Sequence, residues 1–138
     1  MAEGIRSTVE RIGPYQVTAS ARSGEELGRY FQRLGAPDLC LVDMRMPQED
    51  GPQVIQRLKP LHPATKWIAI SIDSDMHWIR QAEVAGAVTF VHKNIRSGRL
   101  QGVLGEVVAK GYHISDEQKS AFATWEGWMN QPPPVVDG

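Results

Sequence analysis

An α/β fold built on a doubly wound parallel sheet is the architecture this sequence predicts, and three observations carry it. Apolar runs too short for helices stand at Leu39–Val42, Trp67–Ile72 and Val88–Val91. Segments with apolar residues at helical spacing alternate with them. Polar residues fall at the carboxyl ends of the runs, the edge where open parallel sheets present their functional side chains. Right-handed crossovers between such strands place helices on both faces of the sheet.

In chain order, Ile5, Val9 and Ile12 recur at helical spacing until Gly13-Pro14 stops them, which predicts a short amphipathic helix. Tyr15–Ala19 is a short β-prone segment. Ser23-Gly24-Glu25-Glu26 reads as a capping box, with the Ser23 hydroxyl accepting from the third helical amide and Glu26 reaching back. Leu27, Tyr30, Phe31 and Leu34 mark the buried face of the helix that follows, and Gly35 ends it. Ala36-Pro37-Asp38 turns the chain into Leu39–Asp43, a strand expected to be covered on both faces.

Beyond Met46-Pro47, Asp50-Gly51 opens a further helix that tolerates Pro52 in its first turn. Its inward residues are predicted to be Val54, Ile55, Leu58 and Leu61, and His62-Pro63 closes it. Trp67–Ile72 is the next strand, and Asp73-Ser74-Asp75 supplies turn and cap chemistry before a helix reaching Ala85-Gly86. Val88–Val91 is the last strand. A helix from Ser97 to Lys110 carries Leu100, Val103, Leu104, Val107 and Val108 on one stripe, with Gly111 at its end. Asp116–Met129 can form a polar helix bearing Phe122, Trp125 and Trp128, and Pro132-Pro133-Pro134 follows as linker-like chain. Residues 1–112 thus form one domain and 113–138 a helical, Pro-rich tail.

The composition narrows the function. At 138 residues with 41% hydrophobic and 22% charged side chains, the chain suits a single globular core and not a disordered segment. A net charge of −1 with no run of Lys or Arg lacks the footprint of a nucleic-acid binder, so no direct nucleic acid binding is expected. Its one cysteine, Cys40, sits inside an apolar run and reads as a small buried hydrophobe. His62, His77, His92 and His113 are too scattered for a zinc site. No stretch is long and apolar enough to span a bilayer and the first residues hold no apolar signal core, so a cytoplasmic location without membrane association is expected.

Three strands end in residues with complementary chemistry: Asp43 after Leu41-Val42, Ser71 after Ile68-Ala69-Ile70, and Lys93 after Phe90-Val91-His92. A carboxylate, a hydroxyl and an ammonium at neighbouring strand ends can converge on one phosphoryl group, the first as nucleophile and the others as donors to its oxygens. The chemistry this suits is formation of an acyl phosphate. A glycine-rich phosphate loop, which a nucleotide binder of this architecture would carry, is missing after the first available strand.

These residues resemble the bacterial response-regulator receiver domains, particularly those of NarL/FixJ-type regulators. The segment from Pro37 to Gly51, centred on Asp43-Met44-Arg45-Met46-Pro47, is similar to the family's phosphorylation loop. Ser71 and the run Ala85-Gly86-Ala87-Val88-Thr89-Phe90-Val91-His92-Lys93 follow in order at family-like separations. The resemblance covers roughly Ala2 to Tyr112. It implies a flavodoxin-like fold with strand order 2-1-3-4-5, and a two-component phosphorelay module rather than an enzyme in its own right. Asp43 would be the phospho-acceptor, Ser71 and Lys93 its phosphate-binding partners, Ser71 with Phe90 the switch pair, and Asp43 with the Arg45 backbone carbonyl ligands of Mg2+.

The same resemblance implies that the chain begins inside the family's first helix. The first strand, with the acidic pair that binds Mg2+, would lie upstream of Met1, either because the start is placed too far downstream or because the protein is shortened. On that expectation Mg2+ binding and phosphorylation are weak or absent, and the incomplete sheet forms a homo-oligomer or an element-swapped dimer. The partner implied is a sensor histidine kinase, and transcription regulation would belong to a longer parent. The alternative is a pseudo-receiver that acts as a protein–protein interaction module without phosphorylation.

Overall fold

The computed structural model describes residues 9–11, 15, 21, 23–46, 48–72 and 76–112. The elements are α1 (Gly24–Leu34), β1 (Leu39–Asp43), α2 (Gly51–Leu58), β2 (Lys66–Ser71), α3 (Met76–Ala85), β3 (Thr89–His92) and α4 (Ser97–Lys110). Residues 9–11 are helical as well. The predictions for Ile5, Ile12, most of Tyr15–Ala19, Asp73–Asp75 and the tail after Tyr112 lie outside the described residues.

α1 and α2 are started by side-chain caps. Ser23 caps α1, its Oγ accepting from the Glu26 amide at 3.1 Å, while the Glu26 carboxylate accepts from Tyr30 Oη at 3.1 Å. At α2 the box is reciprocal: Asp50 Oδ1 accepts from the Gln53 amide and Gln53 Oε1 from the Asp50 amide, both at 2.9 Å. Two otherwise orphaned donors are satisfied at once where the loop after β1 passes into helix. Gly35 and Gly111 follow α1 and α4, as their positions predicted.

The three strands are parallel in the order β1-β2-β3. Asp43 is registered with Ile70, Ile70 with Val91, and Ser71 with His92. Side chains alternate across this sheet. On one face Cys40, Val42, Trp67, Ala69 and Phe90 pack with Phe31 of α1, Val54, Ile55 and Leu58 of α2, and Ile79, Ala82 and Ala85 of α3. On the other, Ile68, Ile70 and Val91 meet Val9 and the Leu100, Val103, Leu104 and Val107 stripe of α4. Helices on both faces of a parallel sheet make the fold doubly wound, as the alternation of elements predicted.

Several core assignments need correction. Leu61 is 70% exposed because α2 ends at Leu58 and the chain leaves in turns that bond His62 back to Leu58. Leu34 is exposed as well, since it ends a helix that buries chiefly Phe31. Val108 points to solvent: the apolar face of α4 passes through Val107 and leaves its neighbour on the flank. Ile72 lies one residue beyond β2 and is exposed, while Lys66 joins the strand at its other end. The last strand runs one residue later than predicted, Thr89–His92 in place of Val88–Val91.

Cys40 is buried, and burial pushes its thiol up to about 12, since a thiolate would lie in apolar surroundings. The native protein is therefore expected to react with a water-soluble disulfide reagent at neutral pH only as it unfolds. Fast stoichiometric labelling without denaturant would contradict the burial.

Candidate functional site

The site is built where the three strands end. β1 delivers Asp43, and the chain turns at once: the Met44 amide donates to the Ile70 carbonyl at 2.9 Å and the Gly51 amide to the Met44 carbonyl at 3.0 Å. Those bonds tie the start of the loop both to the neighbouring strand and to the first residue of α2. Met44 is fully buried beneath it. Glycine is required at position 51, because a Cβ there would stand 2.5 Å from the Asp43 carbonyl oxygen and 2.9 Å from Met44 Cα.

Asp43 and Lys93 meet across the sheet end. Lys93 Nζ lies 3.7 Å from Asp43 Oδ1, with the carboxylate side chain 20% and the lysine side chain 32% exposed. Both charges are open to an incoming anionic group, and the separation is that of an ion pair rather than a close hydrogen bond. Lys93 is held by its own backbone, whose amide donates to the Ser71 carbonyl at 2.9 Å. Ser71 closes the central strand, is buried, and stands between the strands that carry the other two residues.

Phe90 is fully buried on the face that packs against α1, α2 and α3. It is registered with Ala69, two residues before Ser71, so by the period of two Phe90 and Ser71 share a face of the sheet. Arg45 leaves the strand end: its guanidinium lies over the Trp78 ring of α3, 5.6 Å from the centroid. Sequence reading thus placed Asp43, Ser71 and Lys93 at strand ends and Phe90 within a strand, as the structure does. It did not anticipate the cation–π contact, nor a bond network from Arg57 of α2 to Glu49 and Gly24. The Asp50-x-x-Gln53 capping pattern was present in the sequence and could have been read.

The fit of Mg2+ can be judged from the donor set. Asp43 offers one carboxylate, and among the described residues no three His, Cys, Asp or Glu side chains gather into a metal-holding group. A hard cation that takes near-octahedral oxygen coordination is not matched by these donors alone. Among the described residues no helix is long and apolar enough to cross a membrane.

Comparison with known proteins settles the family. The response regulator receiver domain family matches residues 1–104. The chain belongs to that family. Receiver domains are signalling modules of two-component response regulators, and they typically bind Mg2+ at the phosphorylation site. The chain is 28% identical over 114 residues to the probable C4-dicarboxylate response regulator DctR of Priestia megaterium, covering 83% of this chain and 49% of that protein. It therefore spans about half the length of that relative. Among solved structures, a LuxR-family two-component response regulator from Aurantimonas sp. SI85-9A1 superposes with a TM-score of 0.81 at 21% identity, covering 91% of this chain and 89% of the other. The receiver domain of the response regulator NarL from Mycobacterium tuberculosis gives 0.69 at 26% identity, covering 78% and 86%.

Proposed function

We propose that Asp43 is the residue this receiver domain presents for phosphorylation by a sensor histidine kinase. The observation that carries the reading is the Asp43–Lys93 pair, 3.7 Å apart at the carboxyl ends of β1 and β3 with Ser71 on the strand between. In the transfer, a carboxylate oxygen of Asp43 forms an O–P bond as the P–N bond to the kinase imidazole breaks, the nitrogen keeping the electron pair. Lys93 then faces the oxygens of the transferred group, and the Ser71 hydroxyl can donate to another. Ser71 and Phe90, on one face of the sheet, form the pair through which the modified site is felt in the core.

Because the described donors do not by themselves make a Mg2+ site, no step is assigned to the ion, and phosphorylation of this chain is slow. On this reading residues 1–112 are the receiver domain and 113–138 a linker tail. Transcription regulation in the cytoplasm and a homo-oligomeric state are proposed for the whole protein.

The test is incubation with acetyl phosphate, read by intact mass, with Asp43→Asn in parallel. Slow appearance of one phosphoryl increment that is absent from D43N is the expected result. An increment that persists in D43N would refute the assignment. None in either chain, with partner binding independent of Asp43, would favour the phosphorylation-independent interaction module.

A further inference from the structure

The loop between Asp43 and α2 is gripped from a distance by a residue with no place in the site described above. Arg57, eight residues beyond Glu49, donates from Nε to Glu49 Oε2 at 2.9 Å and from Nη2 to Glu49 Oε1 at 2.8 Å. The same Nη2 donates to the Gly24 carbonyl at 3.0 Å. A two-pronged guanidinium–carboxylate contact fixes orientation as well as distance, and here the third bond ties it to the first turn of α1. A side chain at Gly24 would run into Glu49 Oε1 and Val54 Cγ2, so α1 begins pressed directly against the loop.

The loop needs such a hold. Gln48, next to Glu49, has φ of 71°, a left-handed conformation that a non-glycine residue adopts at some expense. The loop is bonded at its ends, by the Met44 and Gly51 amides and by the Asp50–Gln53 box. Between those ends Arg45 lies over Trp78 of α3, and Glu49 is drawn onto Arg57 of α2. The Glu49 carboxylate is held below its ordinary range first by the hydrogen bond from Arg57, and the Arg57 guanidinium is raised in turn by Glu49. The neighbouring Arg29–Glu25 pair lines the same cleft, of about 380 Å3, but is an exposed contact within α1 at 3.4 Å that does not reach the loop.

We propose that Arg57 is a positioning residue for phosphoryl transfer to Asp43, acting through Glu49 to hold the Met44–Asp50 loop against α1. The inference rests on the reading of Asp43 as phospho-acceptor. Reacting groups must be held near their attack geometry, and a displacement of about 1 Å can lower a rate about a hundredfold; a loosened loop that samples the right shape part of the time is expected to lose less.

The experiment measures Asp43 labelling by intact mass across acetyl phosphate concentrations for the unaltered chain, Arg57→Gln, Glu49→Gln, the double variant and Arg29→Gln. The maximal rate is expected to fall about tenfold in either single variant and no further in the double, as for two residues acting through one contact. The half-saturating concentration should stay within about twofold, and R29Q should match the unaltered chain. Glu49→Gln alters only a loop side chain, so it reads out the clamp even if R57Q fails to fold. Clamp variants that label as fast as R29Q would overturn the inference alone, as would losses that multiply in the double variant. An unaltered chain that takes no label would overturn both the inference and the reading beneath it.

Discussion

Replacing Trp67 with alanine is expected to remove about 3–5 kcal/mol of folding stability, the range for deleting a large buried aromatic side chain. Trp67 is fully buried at the start of the central strand, its ring stacked on Phe31 at 5.7 Å between centroids and 27° between planes. Phe31 in turn meets the His62 ring edge-on at 4.9 Å. Trp67 therefore joins α1, the turns after α2 and the sheet, and the cavity left by alanine could close only by moving all three. Domains of this size hold about 5–15 kcal/mol in total, so W67A stands near the edge of folding.

One detail makes the result diagnostic. Trp67 Nε1 is buried and has no hydrogen-bond partner among the described residues. A buried donor without a partner costs about 1–3 kcal/mol. Trp67→Phe removes that donor while keeping most of the apolar ring, so it should lie much closer to the unaltered protein than W67A does. Urea melts of the three chains check both statements. A Trp67→Phe loss as large as that of W67A would mean that the indole N–H is satisfied after all and contributes to stability.

The legible and illegible parts of this molecule separate along a physical line. β1 was readable to the residue, because Leu39–Asp43 is apolar, short and bounded by a proline turn on one side and the Met44 turn on the other. The ends of the other strands shifted by a residue, since Lys66 and His92 are polar and their strand membership comes from pairing with neighbours. Leu34, Leu61 and Val108 were assigned inward because hydropathy and spacing say which residues would be content inside, whereas the end of a helix and the width of the surface covering it decide which are.

At the site, Asp43, Ser71 and Lys93 were recoverable because each follows an apolar run, and parallel strands bring their carboxyl ends to one edge. The Arg57–Glu49–Gly24 network was not. It joins residues 33 positions apart across two helices, and nothing in the pattern around Arg57 marks it as different from any exposed helical arginine. The contact of Arg45 with Trp78 is hidden for the same reason: it depends on where α3 crosses the loop.

Lys93→Ala is expected to slow acyl phosphate formation on Asp43 by about a hundredfold while changing stability little. Loss of one well-placed donor to developing negative charge commonly lowers rates by about 10²–10³, and Lys93 Nζ is the cation that stands beside the Asp43 carboxylate. The stability effect is small because both side chains are partly exposed and the pair is long, the circumstances in which an ion pair contributes about 0–1 kcal/mol. The two measurements therefore move apart: labelling by acetyl phosphate should collapse in K93A while the urea midpoint stays near that of the unaltered chain. Lys93→Arg separates charge from shape. It keeps the cation but replaces a compact ammonium with a planar fork, which does not reproduce the position of Nζ 3.7 Å from Oδ1, so its rate should fall between the other two. A K93A chain that labels at the normal rate would mean that Lys93 only balances the resting charge of Asp43 and does not take part in transfer. A K93A chain that loses stability and labelling together would mean that the ammonium holds the strand ends in place and that its effect on the phosphoryl group is indirect.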